Sequence, residues 1–151
     1  MKRKIYVASS WRNPYQPNIV HTLRSEGHDV YDFRHSKPGD SGFSWGDIAA
    51  GGQGWTPEEY IARLKHPIAQ AGFASDKDAL DWCDMCVLVL PCGRSAHLEA
   101  GYAIGQGKPT IILLHEDNIV PELMYLLAGH SRIVPDIDGM LTAIAQEAVQ
   151  P

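Results

Sequence analysis

Short apolar runs alternate with amphipathic segments along this chain, which is the pattern of an α/β domain built on a mainly parallel sheet. The runs at residues 87–90 and 111–114 are apolar throughout. Such runs are typical of strands buried on both faces, so we expect these two at the sheet centre. In all, the pattern predicts five strands, at residues 4–8, 29–33, 85–90, 110–114 and 132–134.

Helix-period segments separate the predicted strands. Pro17, Pro57 and Pro121 each suit a first helical turn. Gly27 and Gly107 follow helical segments, at positions where a left-handed C-terminal cap is favoured. The predicted helices span residues 17–26, 57–65, 75–83, 96–106, 121–127 and 137–149.

This order of elements predicts one doubly wound α/β domain over residues 1–151, with a five-stranded, flavodoxin-like or Rossmann-like sheet. The length agrees, because 151 residues of which 44% are apolar can bury a single core. The formal net charge of −5 disfavours a general DNA or RNA binder. The apolar runs are far shorter than the roughly 20 residues of a membrane span, and no secretion signal is predicted. The 3 cysteines form no disulfide framework, so the expected location is the cytoplasm.

Residues 34–55 form a glycine-rich segment that is too long for an ordinary connection in a compact domain. The segment also holds Phe43, Trp45 and Trp55. One interpretation is a disordered surface loop. The favoured interpretation is an aromatic-bearing lid over a ligand, because long loops that keep large aromatic side chains are usually functional.

The loops after the first and third strands are the candidate ligand site, because ligands bind beyond the carboxyl ends of parallel strands where the strand order reverses. Hydroxyl groups, guanidinium groups and a glycine occur there: Ser9, Ser10, Arg12, Gly93, Arg94 and Ser95. Gly93 permits close approach of a ligand to the backbone. Ser95 is predicted to cap the next helix, whose N–H groups attract anions. Together these features predict an anion pocket.

Glu99 follows within about the first turn of that helix if Ser95 is the cap. The helix dipole there favours an ionised carboxylate, which a nucleophile attacking a sugar C1 requires. A glutamate in a first turn is also a common capping preference, so a purely structural role stays open. His97 either contacts a ligand or lies on the helix surface.

Three runs of the chain resemble the nucleoside 2-deoxyribosyltransferase family: CDMCVLVL at 83–90, GRSAHLEAGYA at 93–103 and GKPT at 107–110. The opening IYVAS is similar to that family as well. Its relatives include 2′-deoxynucleoside 5′-phosphate N-hydrolases and pyrimidine nucleotide N-glycosidases. The resemblance implies cleavage or transfer at the N-glycosidic bond of nucleosides or nucleoside 5′-monophosphates, with no cofactor.

The resemblance also implies residue roles. Glu99 corresponds to the nucleophile that forms a glycosyl-enzyme ester. Asp76 falls where relatives have a second acidic residue near the base, with Asp78 as the alternative. Tyr6, expected at the end of the first strand, falls where the family has a tyrosine that can hold the nucleophile's carboxylate. Asp84 corresponds to the acidic residue before the buried strand and is interpreted as structural.

Substrate preference depends on residues 93–97, where transferases of the family tend to carry an Asp or similar residue that contacts the base. An arginine and a serine at a helix amino end suit a 5′-phosphate, so we expect Arg94 and Ser95 to bind a monophosphate. The resemblance implies a homodimer or larger homo-oligomer that shares site residues, with Glu122 and Tyr125 as candidates. The expected partners are therefore a small-molecule substrate and other copies of the chain, with no nucleic acid polymer and no membrane.

Other interpretations stay open. A non-catalytic nucleotide sensor on the same fold would use Arg94 and the helix end without chemistry at Glu99. NAD glycohydrolase chemistry also uses a glutamate at an N-glycosidic bond. A zinc or redox site at Cys83 and Cys86 is disfavoured because Cys86 enters a buried strand, and the histidines lack ligand spacing. No metal site is predicted.

Overall fold

The computed structural model describes residues 1–50 and 54–147. It divides into two compact units, Met1–Asp32 with Trp82–Pro151 and Phe33–Asp81, which are described separately. Residues 51–53 of the predicted lid and 148–149 of the last predicted helix lie outside the described residues. The single-domain organisation over 1–151 stays a prediction.

The first unit is built on a sheet whose strands are all parallel. The strands are β1 (Lys4–Ala8), β2 (Asp29–Tyr31), β3 (Met85–Val89), β4 (Thr110–Leu113) and β5 (Ile133–Val134). Their order in the sheet is β2-β1-β3-β4-β5. The predicted α/β fold is confirmed, and β3 lies at the sheet centre with β4 beside it. Only β1 has the predicted bounds, and the other strands are slightly shorter.

The two faces of the sheet pack against different helices, because successive side chains of a strand point to opposite faces. One face forms the main apolar cluster with α1 (Gln16–Ser25) and α5 (Ile137–Glu147). Its strand residues are Ile5, Val7, Met85, Val87, Val89, Ile111, Leu113 and Val134. The other face packs against α4 (Arg94–Gly105), whose buried residues are all alanines: Ala96, Ala100 and Ala103. These small side chains let α4 lie close to β3.

Most predicted helices are present, and their glycine caps are confirmed at Gly27 and Gly107, with φ of 92° and 77°. The predicted α-helix at 121–127 is instead a 3₁₀ helix, Leu123–Ala128. It begins after Pro121 because the Glu122 side chain accepts a hydrogen bond from the Met124 N–H and caps it. In the described residues no helix is long and apolar enough to cross a bilayer.

The second unit contains α2 (Pro57–Arg63) and nearly all of α3 (Pro67–Trp82). The prediction for α3 began only at residue 75. The helix passes through Gly72, where a Cβ would lie 3.1 Å from the Phe43 ring. Close packing of the aromatic ring therefore compensates for the low helix propensity of glycine.

Trp45 lies at the centre of an aromatic cluster in the second unit. Its ring centroid is 5.0 Å from that of Phe43, 5.5 Å from Trp55 and 6.0 Å from Tyr60. The Arg63 guanidinium lies 4.2 Å from the Trp55 ring centroid, in a cation–π contact. The described part of the glycine-rich segment therefore has packed aromatic side chains. Closure of this segment over a ligand stays a prediction.

Candidate active site

The strand order reverses between β1 and β3, so the loops after these strands border the predicted crevice. Asn13 joins the two loops. Its Nδ2 donates to the carbonyl oxygens of Val89 (3.2 Å) and Pro91 (3.1 Å), and its Oδ1 accepts from the Tyr15 N–H (2.7 Å). The residue is 1% exposed. The role of Asn13 could not be predicted from the sequence, because its partners Val89 and Pro91 are distant in the chain and no spacing indicates them.

Ser9, Ser10 and Arg12 lie in the loop after β1. The Ser9 hydroxyl donates to the Val89 carbonyl oxygen at 2.9 Å, so it belongs to the same network as Asn13. The Ser10 hydroxyl accepts from the Arg12 backbone N–H at 3.2 Å, and the Arg12 residue is exposed. Ser9 is therefore held at the end of β3, while Arg12 is accessible to a ligand.

The amino end of α4 differs from the prediction. The helix begins at Arg94 with Gly93 as its N-cap, and no side chain caps it, so the predicted cap at Ser95 is wrong. The backbone is extended at Gly93 rather than at Ser95, which already has helical geometry. A Cβ at Gly93 would meet no atom within 4 Å, and Arg94 and Ser95 are exposed. The first-turn N–H groups thus receive no acceptor from the cap and are accessible to an anion.

Glu99 is half-buried and lies in the second turn of α4 rather than the first. Burial, and then the Glu99 carboxylate, raise the pKa of Cys92 to about 12. Burial raises the pKa of Cys86 most, and the Cys83 thiol and Glu99 raise it further. Cys86 is fully buried in β3, and Cys92 follows that strand. Glu99 thus lies on the helix that follows the central strand, and its charge acts on the thiols of both Cys86 and Cys92.

Tyr6 is the third of the five residues of β1, whereas the sequence predicts it at the end of the strand. It is fully buried, pairs in register with Cys86, and stacks on Tyr31 with ring centroids 5.1 Å apart. Paired residues of neighbouring strands point to the same face. The side chains of Tyr6 and Cys86 therefore point to the same face of the sheet. Cys86 is the thiol whose pKa is raised in part by the charge of Glu99. Its contact with the Glu99 carboxylate stays a prediction.

The acidic residues around α3 fall into two groups. Asp76 is half-buried and Asp78 is exposed, and both belong to the second unit. Their roles with Glu99 stay predictions. Asp84, in the first unit, accepts from the Lys4 N–H at 3.2 and 3.3 Å, and its own N–H donates to the Lys4 carbonyl at 2.9 Å. Asp84 thus connects the start of β1 to β3, in agreement with a structural role.

His97 is held by hydrogen bonds at both ring nitrogens. Its Nδ1 lies 2.7 Å from the Gly93 carbonyl oxygen, and its Nε2 lies 2.9 Å from the Tyr125 hydroxyl. The two rings are stacked, with centroids 5.7 Å apart. Tyr125, considered above as a residue lent to a neighbouring copy, is thus bound to its own chain. Nothing in the sequence indicates this pair, because 28 positions separate its members.

A second pair that sequence analysis missed lies where β2 ends and α1 begins. The Gln16 amide donates to the Asp32 carboxylate at 2.9 Å, and both residues are buried. All three cysteines are free thiols. Within residues 1–50 and 54–147, the structure shows no group of three or more His, Cys, Asp or Glu side chains that could hold a metal ion.

Comparison with known proteins gives one informative result. No family model matches the chain, and no curated protein matches it. Among solved structures, the chain is similar to a 2-deoxyribosyltransferase from the psychrotolerant bacterium Bacillus psychrosaccharolyticus, with a TM-score of 0.54 and 20% identity. The match covers 93% of this chain and 90% of that one. The resemblance predicted from the sequence is therefore confirmed for the fold: this chain has the five-stranded parallel α/β fold of a 2-deoxyribosyltransferase.

Proposed function

We propose that this protein cleaves the N-glycosidic bond of nucleosides or nucleoside 5′-monophosphates through Glu99. The observations that support the proposal are that Glu99 is half-buried on α4, the helix that follows the central strand β3, and that its charge contributes to the raised pKa of Cys92. Ligands bind at this end of an open parallel sheet. The likeness in fold to a 2-deoxyribosyltransferase supports the same class of substrate.

The reaction proceeds in two steps. In the first, a Glu99 carboxylate oxygen attacks C1′, and the bond between C1′ and the base nitrogen breaks. The base leaves with the electron pair and takes a proton from Asp76, which leaves a glycosyl ester on Glu99. Tyr6 orients the Glu99 carboxylate for this attack.

In the second step, water or another base attacks C1′ and releases the Glu99 carboxylate. Asp76 takes the proton that the attacking group loses. Water gives hydrolysis, and a second base gives transfer. The accessible amino end of α4 favours a 5′-monophosphate as the substrate of a hydrolase, because its N–H groups and the Arg94 guanidinium attract a phosphate.

The substrate contacts come from both loops of the crevice. Around the phosphate we place Ser9, Ser10, Arg12, Gly93, Arg94 and Ser95. His97 lies on the next turn, on the side of the base or sugar. No cofactor takes part in this chemistry.

We also propose that the protein acts in the cytoplasm as a homodimer or larger homo-oligomer. Apolar side chains are exposed around the 3₁₀ helix Leu123–Ala128. They are Val120, Leu123, Met124, Leu126 and Leu127. Exposed apolar residues at this density are typical of a surface covered by another chain.

A panel of nucleosides and their 5′-monophosphates, with free base measured by chromatography, tests the proposed activity. We expect base release from the parent protein, faster with monophosphates, and a loss of roughly 10⁴-fold or more in Glu99→Gln. Glu26→Gln, which changes an exposed glutamate after α1, is the matched control and should behave as the parent.

Two results would contradict the proposal. If the folded parent releases no base from any member, either in water alone or with a second base added as acceptor, it is not a glycosidase or transferase of these substrates. A thermal shift with nucleotides and no turnover would then support the nucleotide sensor instead. If Glu99→Gln releases base at the parent rate, Glu99 is not the nucleophile.

A further inference from the structure

The hydrogen bonds of His97 determine which ring nitrogen carries the proton. The Gly93 carbonyl oxygen, 2.7 Å from Nδ1, can only accept a hydrogen bond. In the neutral ring the proton is therefore on Nδ1, and Nε2 has the lone pair. The hydroxyl of Tyr125, 2.9 Å from Nε2, must then be the donor. Both nitrogens of His97 are thus occupied by the protein itself.

This arrangement also determines what the Tyr125 hydroxyl offers to a ligand. A phenolic hydroxyl has one proton and can accept through its oxygen. Since its proton is donated to His97, the oxygen is left as an acceptor. Burial, Cys92 and Glu122 raise the pKa of Tyr125, so the hydroxyl stays protonated at neutral pH.

The position of Tyr125 relates it to the candidate active site. The 3₁₀ helix Leu123–Ala128 follows β4 and packs against it, and His97 lies on the first turns of α4. The Tyr125 hydroxyl is 2.9 Å from His97 Nε2, and His97 Nδ1 is 2.7 Å from the Gly93 carbonyl oxygen and 3.8 Å from the Cys92 Sγ. Tyr125 therefore lies beside the amino end of α4, close to the residues that follow β3 in the candidate active site.

We propose that Tyr125 contacts the substrate, accepting a hydrogen bond from a sugar hydroxyl or a base amino group, and that His97 is a positioning residue that orients the Tyr125 hydroxyl. The inference rests on the proposed function and refines it. Tyr125 contacts the substrate directly, and His97 acts through Tyr125 instead of contacting the substrate itself. The stacked rings, 14° from parallel, keep the hydroxyl in one orientation.

The first experiment measures kcat and KM for Tyr125→Phe, His97→Ala, His97→Gln and the double variant His97→Ala/Tyr125→Phe. We expect Tyr125→Phe to lower kcat/KM about tenfold, the usual effect of one lost hydrogen bond. His97→Ala should lower kcat/KM by a similar factor. His97→Gln should keep most of the parent value, because the glutamine amide oxygen can accept a hydrogen bond from the Tyr125 hydroxyl. The double variant should be no worse than Tyr125→Phe alone.

A second arm identifies the donor on the substrate. The 2′-hydroxyl, the 3′-hydroxyl and the base amino group are removed one at a time from a substrate of the parent. Removal of the group that Tyr125 contacts should lower the kcat/KM of the parent about as much as Tyr125→Phe does. The same removal should not lower the kcat/KM of Tyr125→Phe any further. The group so identified distinguishes a sugar contact from a base contact.

Stability is controlled by thermal unfolding of every variant and by His28→Ala. His28 accepts from the Arg3 N–H at 3.2 Å, at the start of β1 and away from the crevice. This variant should lower the unfolding midpoint without changing kcat/KM.

The outcomes separate this inference from the proposed function. If the parent is active and the kcat/KM of Tyr125→Phe is within about twofold of the parent value, the roles of Tyr125 and His97 are wrong. The same holds if the losses of the two single variants add in the double variant. Either result leaves the proposed function standing. Equal losses in Tyr125→Phe for every substrate analogue likewise overturn the contact. A folded parent without turnover overturns the proposed function, and this inference with it.

Discussion

Cys92 is a local probe of the charge on Glu99. Burial and the Glu99 carboxylate together hold the pKa of Cys92 at about 12. In Glu99→Gln only burial remains, so we expect the pKa of Cys92 to fall but to stay above its ordinary value. Because the thiolate is the reactive form, the rate of Cys92 alkylation near about pH 9 should rise severalfold.

Mass spectrometry of the Cys92 peptide after timed alkylation measures this rate. Cys86 is fully buried and should stay unreactive in both proteins, which provides an internal control. An unchanged rate at Cys92 would show that the Glu99 carboxylate lies away from the end of β3.

Gly93 distinguishes a ligand requirement from a folding requirement. Its φ is −94°, and a Cβ there would meet no atom within 4 Å, so neither strain nor crowding demands a glycine. Because alanine is a poorer N-cap than glycine, we expect Gly93→Ala to lower the free energy of unfolding by about 1 kcal/mol. If a phosphate approaches this backbone, the same variant should raise KM for monophosphates at least severalfold.

The matched control is Gly105→Ala, at the other end of α4, where a Cβ would also meet no atom within 4 Å. That variant should leave KM unchanged and stabilise the helix slightly. Steady-state kinetics and urea unfolding measure both quantities. Equal KM values for Gly93→Ala and the parent would remove Gly93 from the phosphate site.

At the scale of elements, the strands were predictable and several helix ends were not. The runs in β3 and β4 are apolar because both faces are buried, and this signal depends on sequence alone. The extent of α3 depends on the packing of the Phe43 ring against Gly72. Helix propensities of the local sequence do not include such a contact, so they could not predict it. The prediction for 121–127 failed for a local reason, since the Glu122 side chain caps a 3₁₀ helix that begins at Leu123.

The end of α5 is tied to the rest of the first unit by a half-buried ion pair. The Arg132 Nε lies 2.6 Å from Glu147 Oε1 and its Nη2 lies 3.0 Å from Oε2. The hydrogen bond from Arg132 lowers the pKa of Glu147 below its ordinary value. The pair therefore contributes stability above the unfolded-state pKa of Glu147, and this contribution is lost as the pH falls through the lower folded-state pKa.

We expect Glu147→Gln to lower the free energy of unfolding by about 1–2 kcal/mol at neutral pH. The difference from the parent should shrink towards zero in acid, where Glu147 is protonated. Urea unfolding at a series of pH values measures this difference. The exposed pair Lys77–Asp81 provides the comparison, because Asp81→Asn should lower the free energy of unfolding by about 0.5 kcal/mol or less. A cost for Glu147→Gln that does not vary with pH would contradict this account.

At the scale of the whole molecule, the sequence predicted the fold, and its resemblance to a known family located the candidate site. Glu99 and Tyr6 could be proposed as site residues from motifs, because these motifs occupy contiguous runs of sequence. The network of Asn13 and the pair of His97 and Tyr125 were missed, since residues far apart in the chain meet only in the folded protein. The 5′-phosphate preference and the roles of Glu99, Tyr6 and Asp76 stay predictions.

The exposed apolar residues around the 3₁₀ helix predict self-association. Leu123 is 74% exposed, so a charge there should not disturb the folded monomer. We expect the parent to form dimers or larger oligomers in sedimentation experiments over a range of concentrations, and Leu123→Asp to shift it towards monomer. Ile61→Asp, on the exposed face of α2, is the control. A parent that is monomeric at every concentration would contradict the proposed oligomer.

The central claim is that the Glu99 carboxylate forms a bond to C1′, and its most direct test is to trap that ester. The protein is incubated with a 2′-fluoro nucleoside 5′-monophosphate, which slows the second step, and its peptides are analysed by mass spectrometry. We predict a sugar phosphate adduct on Glu99 in the parent and none in Glu99→Gln. Base release from the same substrate with no adduct on Glu99, or with an adduct on another residue, would contradict the account.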